Sequence, residues 1–393
     1  MTPVARTQAA IELLDEIIAA ARAGGSAADT LIARYFKARR YAGSHDRREI
    51  RALVFRAIRR AGEPPVSGRA ALLGVAQDLP ELLETMDGSP HGAAPPSADE
   101  PVAEPGIAPA WLLERFDPAI PPEEWPALLA RGTLDLRVNR LEGSREDALA
   151  ALPDARPTDT SPIGLRLPEG FRVEQAAAWR RGLVEIQDEG SQLICLGCEA
   201  APEMLAVDLC AGAGGKTLAI AAEMADRGRI VAADADRGRL SRMAPRLQRA
   251  GISIVETRLI NPKREAAMLA DLAGRADLVL VDAPCSGSGT WRRNPETRWR
   301  ITPERLARLV VLQARLLDIA AGLLKPGGKL VYAVCSLLAE EGRDQAEALA
   351  RRSALVPEPL PIQAGRPSGP GLLLSPARDE TDGFFVARWQ RPC

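Results

Sequence analysis

Two cysteines, Cys285 and Cys335, each follow a short apolar run that predicts a β-strand. Cys285 closes the sequence Asp282-Ala283-Pro284-Cys285, and Cys335 follows the run at 329–334. A single cysteine at a strand end is usually buried and inert. Two of them at the ends of two strands of one sheet, with the acid Asp282 beside one of them, favour a functional role in the crevice where such sheets bind ligands.

A glycine-rich turn follows a third strand candidate and opens a predicted helix. About twenty residues further on, another strand ends in Asp234. Backbone N–H groups at such a turn can approach a ligand closely, and an acid at this place can accept hydrogen bonds from ribose hydroxyls. The pair predicts a nucleoside-type cofactor, bound by the turn residues Cys210, Ala211, Gly212, Ala213, Gly214, Gly215 and Lys216. The turn is neither G-x-G-x-x-G nor a P-loop, which disfavours a nicotinamide dehydrogenase and a P-loop ATPase.

Aromatic and basic residues alternate in the segment after Cys285. Trp291 and Trp299 lie among the arginines Arg292, Arg293, Arg298, Arg300 and Arg305. Such a segment can stack bases and hold phosphates, or it can anchor a core. For Trp299 the core is the favoured interpretation.

Composition excludes several classes of protein. The chain has 393 residues, 46% of them hydrophobic, and a formal net charge of -1, yet residues 1–60 hold twelve lysines and arginines against six acids. No apolar run is long enough to span a membrane, and the N-terminus is unlike a signal peptide. The six cysteines are too sparse for a disulfide scaffold, which favours a cytoplasmic setting. Cys195 and Cys198 are expected to be buried, and His45 and His91 lie far from these motifs, so no metal site is predicted.

The elements that must position these residues follow a clear order along the chain. Residues 7 to about 85 have helical apolar spacing, and 87–110 are rich in proline. A strand at 134–141 and a capped helix at 144–152 come next. Strand candidates at 204–209, 230–233, 278–281, 329–334 and 384–389 then alternate with helices, which predicts a doubly wound α/β sheet.

Taken together, these motifs resemble the RsmB-like (Sun/Fmu) family of RNA cytosine-5 methyltransferases over nearly the whole chain. The hallmarks are the turn at 208–217, the loop at 282–285, the strand end at Cys335 with Glu340-Glu341, LRVN at 136–139, IQDEGSQL at 186–193 and TDGFFVARW at 381–389. The resemblance implies a Rossmann-like methyltransferase domain at 183–393 that uses S-adenosyl-L-methionine. It also implies a NusB-like helical RNA-binding domain at 1–86, a linker at 87–110 and a small α+β RNA-binding region at 111–182.

The resemblance also implies a role for individual residues. Cys335 would attack C6 of cytosine, Cys285 would take part in product release, and Asp282 would contact the base and the cofactor site. This sequence departs from the family pattern at three places. Ala213 stands where proline is usual, Val334 stands where threonine is usual, and the acid expected near the adenine is absent, with Asn261 as the nearest polar substitute.

The substrate that the resemblance implies is RNA rather than DNA. Small-subunit ribosomal RNA is the first expectation and transfer RNA the second, with a monomer as the default state. A different class, a non-catalytic RNA-binding factor of ribosome assembly, is disfavoured because both cysteines, Lys216 and Asp282 are present.

Overall fold

The computed structural model describes all 393 residues, and these form two compact units. Unit 1 contains residues 1–116, 125–130 and 290–303, and unit 2 contains 117–124, 131–289 and 304–393. None of the helices is both long and apolar enough to cross a membrane.

Unit 1 is built mainly from helices, as the apolar spacing predicts. Thr2 caps the first helix by accepting the Ala5 N–H, and Gly24 ends it in the left-handed conformation. Ser67 caps the fourth in the same way. Their apolar faces form one core. The helices are α1 (Pro3–Ala23), α2 (Ala28–Ala38), α3 (Ser44–Arg60), α4 (Gly68–Asp78) and the short α5 (Ala110–Leu113), with a 3-10 helix at Pro80–Thr85.

The proline-rich segment between Thr85 and Ala110 contains no helix or strand apart from one isolated bridge, between Ala61 and Pro105. It follows the helices of unit 1 closely: the Ala103 N–H donates to the Ala70 carbonyl at 3.0 Å. The predicted division of the chain into four parts stays a prediction.

The Trp/Arg segment belongs to the core of unit 1, so a base-stacking role for its tryptophans is wrong. Trp291 is fully buried beside Phe116, and Trp299 is buried with its Nε1 donating to the Ala61 carbonyl at 3.1 Å. Arg298 is also buried and donates to the carbonyls of Ile58 and Ala61. Burial lowers the pKa of Arg298 to about 9. The aromatic rings of this segment therefore hold the fold together.

Unit 2 begins with a small antiparallel sheet in the order β2-β3-β1-β4. Ser144 and Asp147 form a capping box at the start of its first helix, as predicted. One face of the sheet builds an apolar core with the helices beside it. The elements are β1 (Leu134–Val138), α6 (Arg145–Ala151), β2 (Arg156–Pro157), β3 (Gly164–Leu167), α7 (Ala177–Arg180) and β4 (Val184–Ile186).

The rest of unit 2 is a nine-stranded sheet, which confirms the predicted Rossmann-like α/β class. Its main order is β11-β12-β13-β9-β8-β5-β6-β7, with β10 paired to β13. The five strands β7, β6, β5, β8 and β9 are parallel, and the C-terminal strands add antiparallel. The strands are β5 (Leu205–Asp208), β6 (Arg229–Asp234), β7 (Val255–Leu259), β8 (Ala276–Asp282), β9 (Leu324–Val334), β10 (Val356–Glu358), β11 (Arg366–Ser368), β12 (Gly371–Leu374) and β13 (Phe384–Gln390).

Helices connect these strands and cover the sheet. The apolar runs that predicted β5, β6, β8 and β9 are buried almost throughout, as strands of a covered parallel sheet must be. The helices are α8 (Glu189–Gly197), α9 (Gly215–Glu223), α10 (Arg237–Leu240), α11 (Met243–Arg249), α12 (Glu265–Met268), α13 (Pro303–Leu323), α14 (Arg343–Arg352) and α15 (Pro376–Asp379).

Candidate active site

The carboxyl ends of β6, β5, β8 and β9 lie next to one another at one edge of the large sheet. The register pairs Asp208 with Ala232 and Asp282 with Ala333. Ligands bind at this edge in open α/β sheets. The turn after β5, the acid that ends β6, the acid that ends β8 and the cysteine after β9 are therefore brought together, as the sequence predicts.

The glycine-rich turn and Asp234 are joined directly. The Gly212 N–H donates to Asp234 Oδ2 at 2.8 Å, and the Asp236 N–H donates to Oδ1 of the same carboxylate at 2.7 Å. Gly212 and Gly214 have φ values of 55° and 85°, a left-handed backbone conformation that would be strained in a residue with a side chain. A Cβ atom built on Gly215 would meet nothing within 4 Å. The start of α9, with its unpaired backbone N–H groups, is therefore open to a ligand.

The remaining turn residues are held by the sheet and by α11. The Ala211 N–H donates to the Ala233 carbonyl at 3.0 Å, and the Ala213 carbonyl accepts from Arg246 at 2.7 Å. Burial raises the pKa of the Cys210 thiol well above its usual value, so this thiol stays neutral. Alanine in place of proline at 213 thus leaves the turn anchored.

Lys216 links the turn to the acid of the cysteine loop. Its Nζ lies 2.6 Å from Asp282 Oδ2 and 5.7 Å from the centre of the Phe384 ring. Burial alone would lower the pKa of Lys216, but the Asp282 carboxylate outweighs it and raises that pKa. Lys216 is therefore a cation that orients the Asp282 carboxylate at the carboxyl end of β8.

The two predicted cysteines meet at this edge. Cys285 Sγ and Cys335 Sγ lie 3.3 Å apart, and both residues are partly exposed. Contact with Cys335 and burial raise the pKa of Cys285 well above its usual value. Two thiolates this close would repel each other. The raised pKa therefore favours the neutral thiol at Cys285.

A polar network behind the cysteines was not predicted. The hydroxyls of Ser286 and Ser288 each lie within hydrogen-bonding distance of the Ser336 hydroxyl, and Ser336 Oγ lies 2.6 Å from the buried carboxylate of Glu341. The Gly289 N–H donates to the Cys335 carbonyl at 3.1 Å. The signals in the sequence were the serine after each cysteine and the family hallmark Glu340-Glu341.

Two other polar residues, Asp208 and Asn261, lie at or just after the carboxyl ends of strands β5 and β7. Asn261 is exposed two residues after β7, and its backbone N–H faces Met268 Sδ at 3.2 Å. Asp208 is buried, accepts from the Thr217 hydroxyl at 2.7 Å and has no partner for Oδ1. Burial raises the pKa of Asp208 to about 7. The sequence placed Asp208 only within the strand candidate at 204–209 and the turn at 208–217, and its burial could not be seen from the sequence.

Comparisons with known proteins identify the family that this chain resembles. Residues 198–390 match the family model "16S rRNA methyltransferase RsmB/F", and residues 108–174 match the ferredoxin-like domain of RsmF/B-like methyltransferases. The ribosomal RNA small subunit methyltransferase B of Salmonella typhi is 36% identical over 296 residues, covering 72% of this chain and 66% of that protein. The protein of the same name from Salmonella newport is 35% identical with the same coverage.

Solved structures share the fold. The protein PH0851 superposes with a TM-score of 0.76 at 23% identity, over 100% of this chain and 99% of that one. A methyltransferase homologue from Pyrococcus horikoshii has a TM-score of 0.61 at 28% identity, covering 68% of this chain and 89% of that chain. Membership of a methyltransferase family agrees with S-adenosyl-L-methionine as the predicted cofactor. The turn, the DAPC loop and the family matches lead to one conclusion: the chain belongs to the RsmB/F family of methyltransferases.

Proposed function

We propose that this protein methylates C5 of a cytosine in small-subunit ribosomal RNA, through a covalent bond between Cys335 and C6 of the base. The observation that carries the proposal is the 3.3 Å approach of the Cys285 and Cys335 sulfurs. The names of the relatives, ribosomal RNA small subunit methyltransferases, support the substrate. Residues 1–86, with their excess of basic side chains, are proposed to bind the RNA.

The residues at the carboxyl edge of the sheet fit S-adenosyl-L-methionine. The open start of α9 offers backbone N–H groups, and each oxygen of Asp234 can accept a further hydrogen bond beyond the one it already has. When bound, the cofactor supplies an electrophilic methyl group. The proposed binding residues are Cys210, Ala211, Gly212, Ala213, Gly214, Gly215, Lys216, Asp234, Asn261 and Asp282.

The side chains of the site can do the remaining chemistry. The Cys335 thiolate adds to C6 of cytosine, and the electron pair of the C5–C6 double bond makes C5 nucleophilic. Asp282, held by Lys216, hydrogen-bonds to the polar edge of the base and stabilises the adduct. After C5 has gained the methyl group, a base removes the C5 proton, and the electron pair of that C–H bond re-forms the C5–C6 double bond. The C6–S bond breaks in the same elimination, and its electron pair returns to Cys335 as a thiolate.

Cys285 belongs to the release step in this mechanism. Its thiol keeps a proton next to Cys335, so it can hydrogen-bond to the departing sulfur without competing as a nucleophile. The target cytosine must be unpaired or turned out of its stack to reach the two sulfurs.

The test is methyl transfer from labelled S-adenosyl-L-methionine to total RNA from a methylation-deficient strain, with wild type and Cys335→Ala side by side. Wild type is expected to label cytosine C5 in small-subunit RNA, and the variant to label nothing. Methylation by Cys335→Ala would overturn the mechanism, and label in transfer RNA would change the substrate. Failure to bind the cofactor would favour the RNA-binding assembly factor.

A further inference from the structure

Glu341 is a fully buried acid whose carboxylate lies between the two cysteine loops. Its Oε1 and Oε2 accept from the Ser286 N–H at 2.9 and 3.2 Å, and Oε2 also accepts from the Ser336 hydroxyl at 2.6 Å. The Gln313 side-chain amide donates to Oε1 at 3.0 Å. One carboxylate thus joins the residue after Cys285 to the residue after Cys335.

The partners of the Glu341 side chain are all uncharged donors. Burying a carboxylate without a cation costs free energy, and this cost falls only when neighbouring groups donate hydrogen bonds to it. Here three donors from three separate segments do so: the Cys285 loop, the Cys335 loop and α13. The donors must stay in place for the charge to be tolerated, so the acid and the loops fix one another.

The Cys285 side of this arrangement depends heavily on Glu341. Gln313, the α13 donor, also holds the Pro284 carbonyl at 2.9 Å. The segment around Cys285 is therefore held at two points. The Ser286 N–H donates to Glu341 itself, and the Pro284 carbonyl accepts from Gln313, which also donates to Glu341.

Cys335 has independent support. It follows β9, whose last residue, Val334, pairs with Phe385 of β13. Loss of the Glu341 charge should therefore move Cys285 more than Cys335.

We propose that Glu341 is a positioning residue that sets the place of Cys285 relative to Cys335 and thereby controls release of the methylated product; this rests on the proposed function. In wild type the three donors share the two carboxylate oxygens of Glu341. In Glu341→Gln only one oxygen remains to accept hydrogen bonds, and the NH2 group, itself a donor, faces another donor. The Cys285 loop then loosens while Cys335 still adds to the base. Covalent enzyme–RNA adduct accumulates, and turnover falls roughly ten- to a hundredfold, as expected for a misplaced catalytic group.

The main experiment compares wild type, Cys285→Ala and Glu341→Gln for denaturant-stable enzyme–RNA adduct, cofactor affinity and single-turnover methyl transfer. Glu341→Gln is expected to bind the cofactor like wild type and to accumulate adduct like Cys285→Ala. The matched control is Glu265→Gln, which neutralises a buried acid whose partner is Arg315. That control should form no more adduct than wild type.

A second measurement reports the geometry without RNA. A short bifunctional alkylating reagent bridges thiols in contact, and peptide mapping gives the ratio of bridged to separately labelled Cys285 and Cys335. The ratio should fall roughly tenfold in Glu341→Gln, with Cys335→Ala as the blank. If Glu341→Gln unfolds, Ser336→Ala, which removes one donor, should shift the ratio in the same direction.

The outcomes separate the two proposals. Absence of adduct in Cys285→Ala, with no methylation by wild type, would overturn the proposed function. The bridging ratio would then test by itself whether Glu341 positions Cys285. Adduct in Cys285→Ala, together with normal turnover and normal bridging in Glu341→Gln, would overturn the positioning role alone.

Discussion

The sulfur of Cys285 lies 3.3 Å from the sulfur of Cys335, although 50 residues separate them in the chain. Two adjacent parallel strands, β8 and β9, deliver them to the same edge of the sheet. At this distance both sulfurs can face one base, but they cannot both be charged at low cost. The arrangement therefore allows at most one of the two sulfurs to be charged and, in the proposed mechanism, the two thiols have different tasks.

Replacing Cys285 by alanine should trap the enzyme on its substrate. Cys335 can still add to the base, but the thiol that faces it during release is gone. We expect a covalent enzyme–RNA band on denaturing gels that wild type lacks and that disappears in the double variant with Cys335→Ala. Cys198→Ala removes a buried cysteine as a control and should give no band. A band that survives Cys335→Ala would assign the bond to another residue.

Replacing Lys216 by methionine should slow catalysis more than it weakens RNA binding. Methionine keeps much of the side-chain length but removes the cation 2.6 Å from Asp282, so the carboxylate loses its orientation. We expect kcat to fall roughly a hundredfold, as on loss of a preorganised electrostatic partner, with KM for RNA changed little. Lys216→Arg should recover part of the loss. Equal activity of the methionine and wild-type enzymes in steady-state assays would argue against this role.

The fold and the main site residues could be predicted because they leave local signals. Buried parallel strands such as β8 are continuous apolar runs, and their ends mark Asp282 and Cys285. The edge strand β7 was missed as an apolar run because Glu256 and Thr257 are exposed on it. Edge strands carry charges that mask the pattern.

Other features depend on contacts between distant segments and leave no such signal. Trp291 and Arg298 have the composition of an RNA-facing segment, yet both are buried in unit 1. The role of Glu341 depends on three donors from separate segments, one of them 55 residues away in the chain. Spacing along the chain cannot show which polar residues are brought together behind a site.

Replacing Gly289 by alanine should disturb the loop after Cys285, in which the Gly289 N–H donates to the Cys335 carbonyl. A Cβ atom there would lie 1.9 Å from the Gly383 carbonyl oxygen, so the backbone would have to shift. We expect a loss of about 1–3 kcal/mol in the free energy of unfolding, the usual range for overpacking, together with slower methyl transfer. Gly322→Ala, where a Cβ meets nothing within 4 Å, is the matched control and should not destabilise. Equal stability of the two variants in urea titrations would contradict the close approach.

Asp208 should make the stability of the protein depend on pH. Its folded-state pKa is raised to about 7 from an ordinary value of 3.8, because burial disfavours the charged form. Between these values the folded protein binds more protons than the unfolded chain, so the free energy of unfolding falls as pH rises from about 4 to about 7 and levels off above.

The corresponding test is Asp208→Asn, which keeps an oxygen to accept the Thr217 hydroxyl and removes the titration. Relative to this variant, wild type should lose stability with rising pH, by no more than ~4 kcal/mol in total. Thermal or urea unfolding at several pH values measures the difference, with exposed Asp318→Asn as the control for general charge effects. Parallel curves for wild type and Asp208→Asn across this range would contradict a raised pKa of Asp208 in the folded protein.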